Sequence, residues 1–147
     1  MFGLKYICME FNNVNKDISK NQGNIGVSRA IYEYTRLGYT VLLPFSDSDK
    51  YDLVIDDKNK LLKVQVKTSR CKAKYGGYTI NLKTSGGNTK INTIRTRQNG
   101  DYDILFVLTE DGDCWSIPSE QLGESGTAII VGNTNRLNKY LQYKINR

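Results

Sequence analysis

The chain has 147 residues, one domain's worth, and carries 21 Lys plus Arg against 15 Asp plus Glu for a net charge of +6. With 39% hydrophobic and 24% charged residues it has the composition of a folded globular protein, not of a disordered one. It contains no histidine, which excludes Ser-His-Asp and Cys-His hydrolases, His-ligated zinc sites and any nuclease whose general base is an imidazole.

Phe2 to Phe11 is compatible with a strand, and Asn12 to Gln22 is polar and loop-like. Val27, Ala30, Ile31, Tyr34 and Leu37 then fall on one stripe of an amphipathic helix, with Asn24 as N-cap and Gly38 as the stop. Tyr39 to Leu43 is a β-rich run ended by Pro44 and the loop Ser46 to Lys50. Tyr51 to Asp56 and Leu61 to Thr68 read as strands joined by the turn Asp57 to Lys60. Tyr78 to Lys83 is a further strand, and Gly76-Gly77 reads as a hairpin turn. Thr84 to Asn99 lacks periodicity and reads as a long loop or extended arm. Asp103 to Leu108 is a buried-strand pattern that pairs with Cys114 to Ile117 across the turn Glu110 to Asp113. Pro118 to Leu122 reads as a short helical turn, Ala128 to Val131 as a strand, and Asn135 to Ile145 as a weak C-terminal helix. One helix followed mostly by strands predicts an α/β or α+β domain with a mixed central sheet.

Cys8, Cys71 and Cys114 are far apart and form no CxxC pair, so they read as reduced thiols of a cytoplasmic protein. The N-terminus has no signal-peptide pattern, and the longest apolar runs fall far short of the roughly 20 residues of a membrane span. Charge is segregated. Between Lys58 and Arg97 stand eleven cations and no acid, whereas the rest of the chain has ten cations against fifteen acids. Lys63, Arg70, Lys72, Lys74, Lys83, Lys90, Arg95 and Arg97 are the candidate nucleic-acid-binding residues of this window, because phosphates neutralised by such a stretch release counterions. The alternative is a solvated basic surface.

Without histidine, acid–base work falls to carboxylates, Lys, Tyr or water activated by a metal. Period-2 alternation puts Tyr51, Leu53 and Ile55 on one face of their strand and Asp52 and Val54 on the other. On the next strand Leu62, Val64 and Val66 face a core, while Lys63, Gln65 and Lys67 share the opposite face. Asp52 is thereby expected beside Gln65 and Lys67. A carboxylate, an amide oxygen and an ammonium suit a Mg²⁺ site for phosphodiester hydrolysis; an incidental solvent-facing Asp–Lys pair is the competing reading. Asp101 and Asp103 read as solvated, and no GxxxxGK[ST] or GxGxxG loop is present.

The segments Gly23-Asn24-Ile25-Gly26-Val27, Gly38 to Pro44, Tyr51-Asp52-Leu53-Val54-Ile55, Val64-Gln65-Val66-Lys67-Thr68, Asp101 to Val107 and Trp115 to Pro118 resemble the PD-(D/E)xK nuclease superfamily. The likeness is to its branch of group I intron homing endonucleases, close to Holliday-junction resolvases. The resemblance implies an α/β, restriction-endonuclease-like fold, a mixed central β-sheet flanked by helices, in a single domain with its core at about residues 23–122. It implies a metal-dependent DNA endonuclease in which Asp52 bridges the metal, Gln65 and the Val66 carbonyl complete its ligands, and Lys67 is the motif lysine. The cofactor is then Mg²⁺, with Mn²⁺ as substitute, and the partners are DNA and further copies of the chain in a homodimer or homotetramer. Three departures stand out. Pro44 is not adjacent to Asp52, Gln65 replaces a carboxylate, and Val27 and Ser28 stand where a helix carboxylate is expected. Glu33 and Glu10 are the candidate additional acids. A junction resolvase and an inactive nucleic-acid-binding module on the same fold are the competing functions.

Overall fold

The computed structural model describes residues 18–46, 49–86, 93–95, 98–123, 126–132 and 138–146. Helix α1 (Ile18–Arg36) precedes β1 (Thr40–Leu42), β2 (Leu53–Asp56), β3 (Leu61–Ser69), β4 (Tyr78–Asn81), β5 (Thr84–Gly86) and β6 (Thr93–Arg95). The chain continues through β7 (Ile104–Thr109), β8 (Cys114–Pro118), a 3₁₀ turn (Ser119–Leu122), β9 (Ala128–Val131), a second 3₁₀ segment (Asn138–Tyr143) and β10 (Lys144–Ile145). Six strands form one sheet in the order β1-β2-β3-β7-β8-β10, antiparallel except for the parallel pair β3–β7. A parallel pair needs a long crossover, and the chain from β4 to β6 supplies it. β4 pairs with β9, and β5 with β6, in separate two-stranded ribbons.

The central sheet is buried on both faces, which is why β7 reads as a continuous apolar run instead of an alternating one. Leu53, Ile55, Val64, Val66, Phe106 and Cys114 pack with Ala30 and Tyr34 of α1 on one side. Leu105, Val107, Trp115 and Ile117 pack on the other with Tyr78, Ile80, Leu82, Ile129 and Val131. The restriction-endonuclease-like arrangement, a mixed sheet with a helix on one face, is therefore present. Among the described residues the second face is covered by the β4–β9 ribbon and the 3₁₀ segments, Leu122 and Tyr140 included. Ile129, Val131 and Tyr140 all lie beyond residue 122, so the packed core extends past the expected limit.

α1 begins six residues before the expected cap, so Asn24 is an exposed helical residue and not an N-cap. The reason is Gly26. A Cβ built there would lie 2.5 Å from Thr68 Cγ2 and 3.0 Å from Val66 Cγ1, so the helix touches β3 backbone-close at this point and the contact holds the turns around it. Tertiary packing thus outweighs the poor helix propensity of Gly23 and Gly26. Tyr34 fixes the other end: its hydroxyl and Ser116 Oγ are 2.9 Å apart, and its ring meets Tyr39 edge-on at 5.8 Å. Gly38, at φ 89°, ends the helix as expected, but Leu37 is 49% exposed and lies outside the buried stripe.

Three further expectations change. β5 and β6 form a ribbon inside the predicted loop Thr84 to Asn99. The predicted C-terminal helix is a 3₁₀ segment followed by β10, because Lys144 and Ile145 find ladder partners in Trp115 and Cys114. Tyr51 packs against the core opposite Leu53 and Ile55, because regular strand geometry starts only at Leu53. The possible strand Phe2 to Phe11 lies outside the described residues.

The Gly26 contact is testable. Gly26→Ala gains about 1 kcal/mol of helix propensity but drives a methyl into a stiff β-branched neighbour, an overpacking cost of about 1–3 kcal/mol. Chemical denaturation is expected to show net destabilisation, and Gly26→Ala/Thr68→Ser to recover part of it.

Candidate active site

β2 and β3 pair from Asp56↔Leu61 up to Leu53↔Val64, and Asp52 N–H still donates to the Val64 carbonyl at 2.9 Å. Beyond that point the strands part. The ladder position of Val66 N–H is filled by a side chain: it donates to Asp52 Oδ2 at 2.7 Å. Asp52 is thereby held in the gap between the strands. Gln65, whose neighbours Val64 and Val66 face α1, points to the opposite side and is buried at 8% exposure. Its Nε2 donates to the same Asp52 Oδ2 and, at 3.3 Å, to the Val66 carbonyl. Lys67 lies on Gln65's side and its Nζ donates to the Lys83 carbonyl at 3.4 Å, just past β4. Asp52, Gln65 and Lys67 therefore meet in one half-buried pocket between the central sheet and the β4 layer.

The electrostatics follow from that burial. Desolvation raises the Asp52 pKa above the ordinary carboxylate range, opposed by the Val66 N–H and the Lys67 charge. Desolvation likewise lowers the Lys67 pKa, opposed by Asp52. Each charged group thus makes the other tolerable in a site that disfavours both. Two oxygens, from the Asp52 carboxylate and the Val66 carbonyl, converge on one electropositive NH₂. That is also the donor set a hard cation selects: oxygen ligands, with one formal negative charge. The residues present fit a divalent ion, with Asp52, the Val66 carbonyl and the Gln65 carboxamide as the groups that would hold it.

Glu33 is not part of this pocket. It projects from α1, on the other side of the sheet, and is buried instead of lying on a polar helix face. Arg29 and Arg36 bind its two carboxylate oxygens at 2.7 and 2.8 Å, which explains how a charge can be buried there. Glu10 lies outside the described residues. Among the described residues no cluster of three or more His, Cys, Asp or Glu side chains is placed to hold a metal. Of the basic candidates, Lys63, Arg70, Lys72, Lys74 and Lys83 are exposed, and Lys63 also lies 5.6 Å over the Tyr51 ring. Arg95 belongs to β6; Lys90 and Arg97 lie outside the described residues.

Two aspartates read as solvated have structural work instead. Asp103 Oδ2 accepts the Lys63 N–H at 2.8 Å, and Asp101 accepts the Gln98 N–H at 2.8 Å and pairs with Lys50 at 2.7 Å. The anchor of Lys67 was also missed, because it is the carbonyl of Lys83, and a backbone atom leaves no residue-type signal. Cys71 and Cys114 are not joined in a disulfide; Cys71 is exposed and Cys114 buried. No described helix is long and apolar enough to cross a membrane.

The double use of Oδ2 predicts how Asp52 variants unfold. An Asn carbonyl oxygen can accept both hydrogen bonds, whereas Asp52→Ala strands the Val66 N–H and costs about 1–3 kcal/mol relative to Asp52→Asn. Because the native Asp52 pKa is raised, native protein binds that proton more tightly than the unfolded chain. Wild-type stability therefore declines as pH rises from the ordinary carboxylate range through the raised pKa. Denaturation across that window is expected to show the decline in wild type and its loss in Asp52→Asn.

A family model for PD-(D/E)XK endonucleases matches residues 18–144, from the first described turn of α1 to the start of β10. Protein 5.3 of Escherichia phage T7 is 31% identical over 106 residues, covering 71% of this chain and 83% of that protein. The solved structure of a bacterial homing endonuclease, I-Ssp6803I, superposes with a TM-score of 0.73 at 28% identity, over 86% of this chain and 88% of that one. The matched span contains the whole Asp52–Gln65–Lys67 pocket. By sequence and by fold, the chain belongs to the PD-(D/E)XK endonuclease family.

Proposed function

We propose that this nuclease is a Mg²⁺-dependent DNA endonuclease of the homing type, acting as one domain where β2 and β3 part. The observation that carries the reading is the convergence of Asp52, Gln65, the Val66 carbonyl and Lys67 in one pocket. A divalent ion bound there, Mg²⁺ or Mn²⁺ in its place, supplies Lewis-acid polarisation of a phosphoryl oxygen and a lowered pKa for an attacking water. Asp52 gives the ion its one carboxylate, and Gln65 and Val66 add uncharged oxygens, so affinity falls below that of a two-carboxylate site. Lys67 reaches the scissile phosphate from the same side. Its ammonium orients the water and offsets the negative charge that accumulates in the transition state. Burial, opposed by the Asp52 charge, lowers its pKa, which eases exchange of a proton with that water.

Lys63, Arg70, Lys72, Lys74 and Lys83, with Lys90, Arg95 and Arg97 in the same acid-free window, are proposed to grip the phosphate backbone. One pocket cuts one strand, so cleavage of duplex implies a homodimer or homotetramer with two-fold-related sites. The reading places the enzyme in the cytoplasm, where its DNA substrate is. A second reading has a specific observation behind it: the group set against Asp52 is the uncharged Gln65 amide, not a second carboxylate, which favours a binding module without catalysis.

Nicking of supercoiled plasmid separates the two. The enzyme reading expects cleavage in Mg²⁺ or Mn²⁺, lost in EDTA, with Lys67→Ala and Asp52→Ala slower by about 10²-fold or more. Equal nicking by wild type and both variants contradicts the site; no nicking alongside tight binding favours the module. If roughly five of the cations meet phosphates, log affinity falls with log salt at a slope of about −4 to −5. A flat response contradicts the assigned grip.

A further inference from the structure

Gln65 makes contacts that the proposed reaction does not use. Its side-chain nitrogen donates to two acceptors at once, the Asp52 carboxylate and the Val66 carbonyl. Those two oxygens are the remaining protein ligands assigned to the ion. An amide NH₂ carries protons and accepts nothing, so it is the only end of the carboxamide that suits the space between them. Turned about, Oε1 would face a carboxylate and a carbonyl with no positive charge between the three oxygens. With a cation present the preference reverses, because a hard ion takes the oxygen and repels the NH₂.

We propose that Gln65 is a two-position element: its NH₂ stands in for the cation in the metal-free protein, and the carboxamide turns over to present Oε1 when an ion enters. The inference rests on the metal site proposed above. It also gives a physical reason for an amide at this position. A carboxylate there has no proton donor to offer at neutral pH, and would face Asp52 as a like charge whenever the ion is absent. The amide gives up charge for the ion and gains a pocket that stays satisfied without one.

The test uses the full chain labelled with ¹⁵N, with the Gln65 side-chain NH₂ assigned by its disappearance in Gln65→Glu and the Val66 N–H as a reporter of ion binding at Asp52. Without metal, the Gln65 NH₂ protons are expected to exchange at least about tenfold more slowly than those of exposed Gln121. Saturation with Mg²⁺ is expected to abolish that protection while the Val66 N–H shifts. If the Val66 N–H shifts and the Gln65 NH₂ remains protected, the turnover is wrong and the metal site stands. If neither responds, the metal site and the turnover both fail. Thermal unfolding adds an independent arm. In EDTA at mildly alkaline pH, Gln65→Glu is expected to melt several degrees below wild type, and to gain more than wild type from added Mg²⁺. A variant that melts with wild type in EDTA overturns the proposal.

Discussion

Asp52 Oδ2 accepts the N–H of Val66 at the point where a β2 carbonyl would stand if the hairpin went on pairing. A buried backbone N–H left without a partner is costly, so the separation of β2 from β3 depends on this carboxylate. The same atom is the one that the Gln65 amide binds. Folding and the proposed chemistry thus share a group, and the side-chain oxygen cannot be removed without leaving the parting strands an unpaired donor. The cost appears in the raised Asp52 pKa, partly offset by the Val66 N–H and Lys67.

The surrounding fold turns this local arrangement into a rigid one. α1 presses on the far side of β3 through Gly26, while the carbonyl that holds Lys67 lies just past the end of β4. The strand bearing Gln65 and Lys67 is therefore clamped between two packed layers, the support that their proposed role requires. Glu33 marks the difference between the layers. Its carboxylate serves the helix face, tied to Arg29 and Arg36, and contributes nothing to the pocket across the sheet.

Legibility in the sequence followed the locality of the cause. Gln65 and Lys67 were readable because strict alternation with Val64 and Val66 leaves them only one side. Asp52 was readable as their neighbour, but Tyr51 was not readable as its opposite: period-2 reasoning assumes an extended strand, and the chain bends at Asp52. The start of α1 was hidden because two glycines look like breakers, although Gly26 is there to let the backbones approach. β5, β6 and β10 are only two or three residues long, too short for alternation to show, and β10 is specified by a distant partner, β8. Glu33 was legible in part: i,i+4 and i,i+3 spacing puts Arg29 and Arg36 over it on the same helix, whereas its burial on the far side of the sheet depends on the fold.

Asp52, Gln65 and Val66 are proposed to hold a divalent ion beside Lys67. A crystal structure of Mn²⁺-loaded protein, phased on the metal's anomalous signal, addresses this most directly. One strong peak is expected within about 2.0–2.3 Å of an Asp52 carboxylate oxygen, the Val66 carbonyl and Gln65 Oε1. An empty pocket at saturating Mn²⁺, or a peak seated instead on the acidic turn Glu110 to Asp113, would contradict it.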